Sequence, residues 1–345
     1  MSLPPDPSAA ALEAGIFGLS HSPEAAGVVL IPVPWEATVS YGKGTADGPA
    51  AILRASRQVD LLDRETGRPY QAGIAMLPLA SEVRSWSNLA RRKAEFILAA
   101  GGAGTGTDPG LTQAARNVDA LGEKLNQWVR AGVCRWLDAG KLVGIVGGEH
   151  SVPFGAIAEL ASRHPGMGVL HVDAHADLRA AYEGFHWSHA SIMHNVLREI
   201  PGVARIVQVG IRDYSDEEDA LIRAEPERIR THFDPDLRRQ VLDGEPWNRL
   251  AARMVAELPR EVYVSFDIDG LDAALCPHTG TPVPGGLSFP EACALLRLVV
   301  ESGRRIVGFD LCEVAPDPTG RLDWDGNMGA RMLYKLIGFA LAAQA

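Results

Sequence analysis

Residues 168–177, GVLHVDAHAD, decide the fold class of this chain. The first five residues form a short, β-rich apolar run, which predicts a buried strand. Similar runs occur at 27–34, 141–147, 205–210, 262–268 and 304–311, and helical patterns lie between or after them. Strands that alternate with helices predict an α/β fold in which a mainly parallel sheet is covered by helices on both faces.

The pattern predicts one large domain preceded by a short arm. No linker-like stretch interrupts the alternation, so we expect residues 27–345 to form a single domain. Residues 1–26 are rich in Pro, Ala and Ser, and we expect a flexible N-terminal arm there.

The composition argues against several classes of protein. Of the 345 residues, 46% are hydrophobic and 22% are charged, and the net charge is -10. Nucleic acids bind basic surfaces, so we expect no nucleic-acid partner, whereas an acidic chain suits a cationic substrate. The sequence contains neither an apolar run of about 18 residues nor a signal peptide, so we expect no membrane partner and a cytoplasmic location.

Three polar segments follow predicted strands: GGEHS at 147–151, DAHAD at 173–177 and DIDGLD at 267–272. In an extended chain the side chains at i, i+2 and i+4 point the same way, so each acidic segment presents its charged groups on one side. Ligands of parallel α/β sheets bind at the carboxyl ends of the strands, where these groups would meet. The candidate metal ligands are His150, Asp173, His175, Asp177, Asp267 and Asp269.

Six such ligands suit two divalent ions better than one. Buried charges are costly unless they are paired, and four aspartates would balance two divalent cations. Mixed oxygen and nitrogen donors favour manganese-like ions over sites built from thiolates, and nickel accepts the same donors. The alternative interpretation of such a segment is a capped turn with an unrelated histidine.

The motifs GGEHS, DAHAD and SFDIDGLD together resemble those of the ureohydrolases, a family of arginases, agmatinases, guanidinobutyrases, guanidinases and formimidoylglutamases. Further matches are SYGKGTADGPAAILRAS near the N-terminus, SHAS from Ser188, TGTPVPGG from Thr279, and Glu313. The resemblance implies an arginase-like, three-layer α/β/α sandwich, two manganese ions and a homo-oligomer, either a trimer or a hexamer.

The resemblance also implies how the ligands divide between the two ions. His150 and Asp177 would bind one ion, and His175 and Asp269 would bind the other. Asp173 and Asp267 would bridge the two ions.

Other roles implied by the family concern the reaction itself. Asp177 would orient the nucleophilic hydroxide as well as bind an ion. His189, in the SHAS motif, would shuttle protons, unless it is a histidine of a surface loop. Glu313 would hold the guanidinium by paired, charged hydrogen bonds. Thr281 would contact the substrate or only shape its loop.

Two residues bear on the identity of the substrate, and each has a second interpretation. Arg179 would pair with a substrate carboxylate and repel an ammonium group, or it forms a salt bridge with a neighbour such as Glu183. Trp324 would cover a guanidinium or shorten the pocket, or it packs against other residues.

We expect a hydrolase of linear amidines that releases urea, together with an amine or ammonia, from free guanidine or a short guanidino acid. The alternatives are an agmatinase, and a formimidoylglutamase or arginase. An alternative of another class is a metal-binding protein without catalytic activity.

Overall fold

Eight parallel strands form the central sheet of the protein in a computed structural model that describes residues 15–102, 108–321 and 323–344. Across the sheet the order of the strands is β2-β1-β3-β8-β7-β4-β5-β6. The strands β3, β8, β7 and β4 are therefore the four central ones. Their bounds are β1 Val28–Pro32, β2 Ile74–Met76, β3 Leu142–Val146, β4 Met167–Val172, β5 Val203–Ile211, β6 Ile229–Phe233, β7 Glu261–Asp267 and β8 Arg305–Cys312.

Ten α-helices within the same described residues cover the two faces of the sheet. They are α1 Gly48–Ala55, α2 Ser81–Ala99, α3 Pro109–Asp138, α4 Phe154–Arg163, α5 Ile192–Glu199, α6 Asp216–Ala224, α7 Asp234–Leu242, α8 Trp247–Ala256, α9 Phe289–Glu301 and α10 Trp324–Ala342. In the part of the chain that the structure describes, no helix combines the length and the apolarity needed to cross a bilayer.

Two apolar cores lie on opposite faces of the sheet. One core joins α1, α8, α9 and α10 to the sheet, and the other joins α2, α3, α4 and α5 to it. Successive side chains of β4 alternate between them, with Leu170 in the first core and Val169 in the second. The fold is thus an α/β/α sandwich, and the predicted fold class is confirmed.

The described part of the predicted N-terminal arm packs against the core. Ile16, Phe17 and Leu19 are buried, and the ring of Phe17 lies 4.9 Å from that of Tyr334 in α10. The structure therefore differs from the predicted arm over residues 16–19, because this short apolar run is buried and the last helix covers Phe17. Residues 1–14 of the predicted arm lie outside the described residues.

Candidate metal centre and active site

The four central strands carry the predicted metal ligands and Glu313 at or just beyond their carboxyl ends. His150 follows β3, Asp173 and Asp177 follow β4, Asp267 ends β7, and Glu313 follows β8 directly. Because these strands are neighbours in the sheet, side chains that are far apart in the chain converge at one point. His150 and Glu313, for example, are 163 positions apart and share a hydrogen bond.

His150 lies at the centre of a first group of ligands. Its Nδ1 atom lies 2.9 Å from Asp173 Oδ2 and 3.2 Å from Asp177 Oδ2. The same atom lies 3.4 Å from Asp267 Oδ2. On the other side of the ring, Nε2 is 2.9 Å from Ser265 Oγ. A hydrogen bond at Nε2 orients the ring and leaves Nδ1 as the atom that would bind an ion.

His175 and Asp269 form a second group beside the first. His175 Nδ1 lies 3.1 Å from Asp269 Oδ2 and 3.5 Å from Asp173 Oδ1. Asp173 thus directs Oδ2 to the first group and Oδ1 to the second, as a bridging carboxylate would. The structure brings all six predicted ligands together.

The site concentrates negative charge that is shielded from water. The carboxylates of Asp173, Asp177, Asp267 and Asp269 belong to residues that are at most 4% exposed. Burial and the charge of Asp173 raise the pKa of Asp177 to about 6. Burial and the charge of Asp269 raise the pKa of Asp267 well above its usual range.

The histidine of the second group responds to the same charge. Burial opposes protonation of His175, but the carboxylates of Asp269 and Asp173 raise its pKa to about 12. The raised pKa values of Asp177, Asp267 and His175 indicate that the site has too little positive charge to balance its carboxylates. Two divalent ions would supply that charge, so the donor set fits a binuclear centre.

Asp177 and Glu313 adopt left-handed backbone conformations, with φ of 55° and 62°. Such conformations cost about 1–3 kcal/mol each and cluster at functional sites. Hydrogen bonds hold both in place: the Asp177 carbonyl accepts from the N–H groups of Met193 and His194, and the Glu313 N–H donates to the Gly148 carbonyl. The strained positions are thus two of those that the family resemblance assigns to the reaction.

Glu313 has one bonded and one free carboxylate oxygen. Oε1 accepts a hydrogen bond from the His150 N–H at 2.8 Å, whereas Oε2 is buried without a partner in the described part of the chain. Burial, together with the charge of Glu149, raises the pKa of Glu313 well above its usual range. A cation at Oε2 would supply both a hydrogen bond and a compensating charge.

The loop that carries Thr281 lies against Glu313. The hydroxyl of Thr279 donates to the Glu313 carbonyl at 2.8 Å. A Cβ atom added to Gly280 would lie 3.1 Å from Glu313 Oε2, a tight contact that would require the carboxylate to shift by a few tenths of an ångström.

A cavity of about 400 Å³ adjoins the metal ligands. Its wall includes His175, Asp177, Arg179, His189 and Thr281, together with Tyr182, Asp213 and Glu218. The cavity therefore joins His175 and Asp177 to two of the four residues predicted to contact substrate, Arg179 and Thr281.

Arg179 in the cavity wall is already paired within the protein. Its Nε atom lies 3.5 Å from Glu218 Oε2, and its guanidinium lies over the ring of Tyr182 at 4.8 Å. The salt bridge expected for Arg179 thus exists, but its partner is Glu218 rather than Glu183. No local pattern indicates this partner, because Glu218 belongs to α6, beyond the next strand.

His189 also lies in the cavity wall. Its Nδ1 is 3.1 Å from Thr38 Oγ1, and that hydroxyl is 3.0 Å from Glu149 Oε1. Burial, with the nearby charge of His175, lowers the pKa of His189 to about 3. The ring is therefore neutral near pH 7, with one nitrogen protonated and the other able to accept a hydrogen bond.

Trp324 lies away from the cavity wall. It begins α10, and its indole N–H donates to the carbonyl of Ala274 at 3.3 Å. The next residue, Asp325, is buried and accepts a hydrogen bond from the backbone of His278. The indole of Trp324 therefore contacts the 274–278 turn and is not among the residues that line this cavity, which agrees with the packing interpretation of this residue.

Two buried residues beside the ligands were missed by the sequence analysis. His171 Nε2 lies 2.8 Å from Asp173 Oδ2, and Asp310 Oδ1 lies 3.7 Å from His150 Nε2. His171 precedes Asp173 by two positions, so the i, i+2 rule applied one step upstream would have found it. Asp310 is a single acidic residue inside an apolar strand, and only its neighbours in space reveal its position.

Comparison with known proteins places the chain among the arginases and their relatives. The model of the arginase family matches residues 26–338. The N(1)-aminopropylagmatine ureohydrolase of Thermus thermophilus is 31% identical over 326 residues, which cover 94% of each chain. The agmatinase of Bacillus anthracis is 30% identical, and the match covers 87% of this chain and 88% of that protein.

A solved structure supports the same fold. The agmatine ureohydrolase of Thermoplasma volcanium superposes with a TM-score of 0.71, covering 95% of this chain and 94% of that chain. At 24% sequence identity this likeness concerns the fold alone.

The chain belongs to the arginase family. It is a ureohydrolase that acts on guanidino compounds, and hence a hydrolase of non-peptide C–N bonds in linear amidines. The family depends on a binuclear metal centre, and the buried histidine and aspartate cluster is able to hold metal. The predicted family and reaction class are confirmed.

Proposed function

We propose that the substrate is a guanidino compound with a second cation at the end of a short chain, as in agmatine. The observation that carries the proposal is Asp213, whose side chain is 66% exposed and whose carboxylate faces the cavity wall beside His175. Two relatives have names that refer to agmatine or to an aminopropyl derivative of it. Manganese is the proposed ion, and nickel is the alternative.

The size of the cavity supports a substrate with a tail. Guanidine consists of one carbon and three nitrogens, whereas the cavity measures about 400 Å³. Trp324 does not reduce this space, since it packs against the carbonyl of Ala274. Free guanidine, the first expectation from the sequence, therefore fits this cavity less well than a longer compound.

The charges around the site support a cation at each end of the substrate. We assign the guanidinium to the free oxygen of Glu313 and the distal cation to Asp213. Arg179 would repel an ammonium group if it were unpaired, but Glu218 neutralises it. The distal cation would thus meet the exposed carboxylate of Asp213, while Glu218 compensates the charge of Arg179.

A short guanidino acid is the second candidate, and Arg179 is the residue that favours it. The Arg179 side chain is 37% exposed, and Glu218 engages its Nε atom at 3.5 Å. The terminal nitrogens of a guanidinium can then bind a carboxylate in bidentate fashion.

The reaction R–NH–C(NH₂)₂⁺ + H₂O → R–NH₃⁺ + CO(NH₂)₂ sets what the residues must do. The oxygen of water becomes the urea oxygen, and both water protons reach the leaving nitrogen. When bound, two divalent ions lower the pKa of a water molecule and so supply hydroxide near neutral pH. We propose that Asp177 orients the attacking oxygen, that Glu313 and Thr281 hold the substrate, and that neutral His189 carries a proton to the leaving nitrogen.

Substrate panels with two variants test the proposal. Urea release is measured with agmatine, free guanidine, 4-guanidinobutyrate and arginine, and ammonia or formamide release with formimidoylglutamate. We expect agmatine to have the highest kcat/KM, and Asp213→Asn to raise its KM about tenfold because a charged contact is lost. Arg179→Met should lower kcat/KM selectively for 4-guanidinobutyrate.

Asp216→Asn is the matched control, because Asp216 is an exposed acid outside the cavity wall. It removes the same charge and should leave every KM unchanged. A higher kcat/KM for free guanidine than for agmatine, with no effect of Asp213→Asn, would contradict the proposed substrate class.

The proposal also includes the assembly and location of the protein. By resemblance to the family we propose a homo-oligomer, a trimer or a hexamer, in the cytoplasm. Sedimentation velocity at micromolar concentration measures the assembly, and a monomer of 36.9 kDa would contradict it.

A further inference from the structure

The hydrogen bonds behind His189 form a buried chain that the reaction described above does not use. Thr38, which links His189 to Glu149, is 1% exposed, and Glu149 is fully buried. The Thr38 Oγ1 atom lies 3.1 Å from His189 Nδ1 and 3.0 Å from Glu149 Oε1. It also accepts a hydrogen bond from the backbone N–H of His189 at 3.1 Å.

We propose that Glu149 and Thr38 are positioning residues that hold His189 with its proton on Nδ1 and leave Nε2 as a free acceptor in the cavity. The inference rests on the proposed function, since it gives a purpose to the neutral ring of His189. In this arrangement the Nδ1–H donates to Thr38 Oγ1, and the Thr38 hydroxyl donates to Glu149.

The donors around Glu149 determine the direction of this chain. Oε2 accepts from the backbone N–H groups of Ala37 and Thr38 at 2.9 and 2.7 Å. Oε1 accepts from Trp35 Nε1 at 3.0 Å and from Ser151 Oγ at 2.8 Å, in addition to Thr38 Oγ1. Three of these five donors are N–H groups, which cannot reverse, so both carboxylate oxygens of Glu149 are held as acceptors.

Glu149 Oε1 already accepts from the N–H of Trp35, which cannot reverse. The hydroxyl of Thr38 therefore points at Glu149, and its remaining lone pairs face the two N–H groups of His189. Every donor and acceptor of the Thr38 hydroxyl is then satisfied.

The other side of the imidazole faces the cavity. Nε2 of His189 makes no hydrogen bond to any other residue in the described part of the chain, and the edge of the ring meets Tyr182 at 5.9 Å between centroids. A neutral imidazole with a bare Nε2 can accept a proton from the nucleophile side and release it to the leaving nitrogen. In the opposite tautomer the proton would be on Nε2, and that atom could not accept another proton.

The test reads the tautomer directly and needs no turnover. Protein labelled with ¹⁵N-histidine and loaded with diamagnetic Zn²⁺ is studied by magic-angle-spinning NMR, and His189→Asn identifies the signals of His189. We expect the proton on Nδ1 in the wild type and a loss of that preference in Thr38→Val. With manganese bound, kcat of Thr38→Val should fall about 10- to 100-fold with little change in KM, because general acid–base catalysis is impaired.

Two further variants separate positioning from folding. Thr38→Ser keeps the hydroxyl and should restore both the tautomer and kcat. Thr45→Val is the control, because Thr45 is equally buried and donates to another carboxylate, Glu36, in the same N-terminal region. It should leave the tautomer and kcat unchanged, while metal content and melting temperature check the folding of all variants.

Different results would overturn different statements. A proton on Nε2 of His189 in the wild type, or an unchanged kcat in Thr38→Val, overturns the positioning role. If the proton is on Nδ1 but His189→Asn keeps the wild-type kcat, the tautomer assignment is supported and the shuttle role under the proposed function is contradicted.

Discussion

At the residue scale, Asp173 shows how a single carboxylate joins the two halves of the site. Oδ2 lies 2.8 Å from His171 Nε2 and 2.9 Å from His150 Nδ1, while Oδ1 accepts the backbone N–H of His175 at 2.6 Å. Each oxygen thus has a fixed direction before any ion arrives. Preorganised ligands of this kind lower the cost of assembling the centre.

Asp269→Ala tests the ligand assignment. Asp269 faces His175 at 3.1 Å and accepts the Ala174 N–H at 3.0 Å. We expect the variant to retain about one ion per chain instead of about two and to lose turnover at least 100-fold, since the remaining ion cannot activate water equally well. Metal analysis and urea assays measure both effects.

The matched control is Asp272→Ala in the same loop. Asp272 is exposed and accepts the Ala274 N–H at 2.9 Å, so it only stabilises a turn. Its loss should cost at most about 1 kcal/mol of stability and no metal. Wild-type turnover in Asp269→Ala would refute the assignment.

Glu313→Gln tests the guanidinium contact. Glutamine keeps the acceptor for the His150 N–H but lacks the negative charge of the free oxygen. We expect KM for guanidino substrates to rise about 10- to 100-fold, because a charge-assisted hydrogen bond becomes a neutral one. Unchanged KM values with full metal content would show that Glu313 does not hold the substrate.

At the element scale, the strands that the sequence analysis missed are β2 and β6, which are the two edges of the sheet. Central strands are covered on both faces and read as continuous apolar runs, which made them predictable. β2 has only three residues, and β6 reads IRTHF, of which Ile229 alone is fully buried. β2 is too short to show a periodic pattern, and β6 mixes polar residues with apolar ones because one side of an edge strand meets solvent, so periodicity could not identify either strand.

The same reasoning explains which parts of the site were predictable. Asp173, His175 and Asp177 were found because period-two spacing is local in the sequence. The chain from His189 through Thr38 to Glu149 spans 151 and 111 positions, and only the folded sheet brings its members together. The placement of Trp324 likewise depends on the turn it packs against, which no local pattern reveals.

Lys335→Met tests how α10 is attached to the 63–66 turn. Lys335 Nζ lies 2.6 Å from Asp63 Oδ2 and 2.7 Å from Glu65 Oε2. We expect the free energy of unfolding to fall by about 1 kcal/mol, a value that allows for solvent screening. Urea unfolding of both proteins at pH 7 measures it.

The pH dependence of that difference follows from Asp63. Burial raises its pKa, but hydrogen bonds from Lys335 and Thr66 outweigh this and lower it below the ordinary 3.8. A lowered carboxyl pKa contributes stability that is complete above the unfolded-state value and is lost as the pH falls through the folded-state value. The two proteins should therefore differ at pH 5 to 7, begin to converge as the pH falls below about 3.8, and become alike below the folded-state pKa of Asp63. An equal difference at pH 2 would contradict the ion pair as its source.

At the scale of the whole molecule, the metal centre lies where the four central strands meet, so binding and folding should be coupled. Metal-free protein must keep four buried carboxylates together with only neighbouring histidines to balance them. A ligand that binds only the folded state stabilises it by about 2.7 kcal/mol at 100 times its Kd. We expect Mn²⁺ to raise the melting temperature and a chelator to lower it reversibly.

Metal analysis of the same samples gives the stoichiometry. About two ions per chain are expected from the two ligand groups. One ion per chain at full activity would contradict a two-ion mechanism. If chelation leaves the melting temperature unchanged, metal binding does not stabilise the folded protein.

The left-handed backbone at Asp177 and Glu313 has a consequence for directed evolution. Glycine at either position would relieve about 1 kcal/mol or more of conformational strain and remove a carboxyl group whose burial is costly. A library challenged only by heat in the absence of metal should therefore enrich glycine at these two codons. The selected variants would be more stable but catalytically inactive. A screen must therefore select for turnover and thermal stability together.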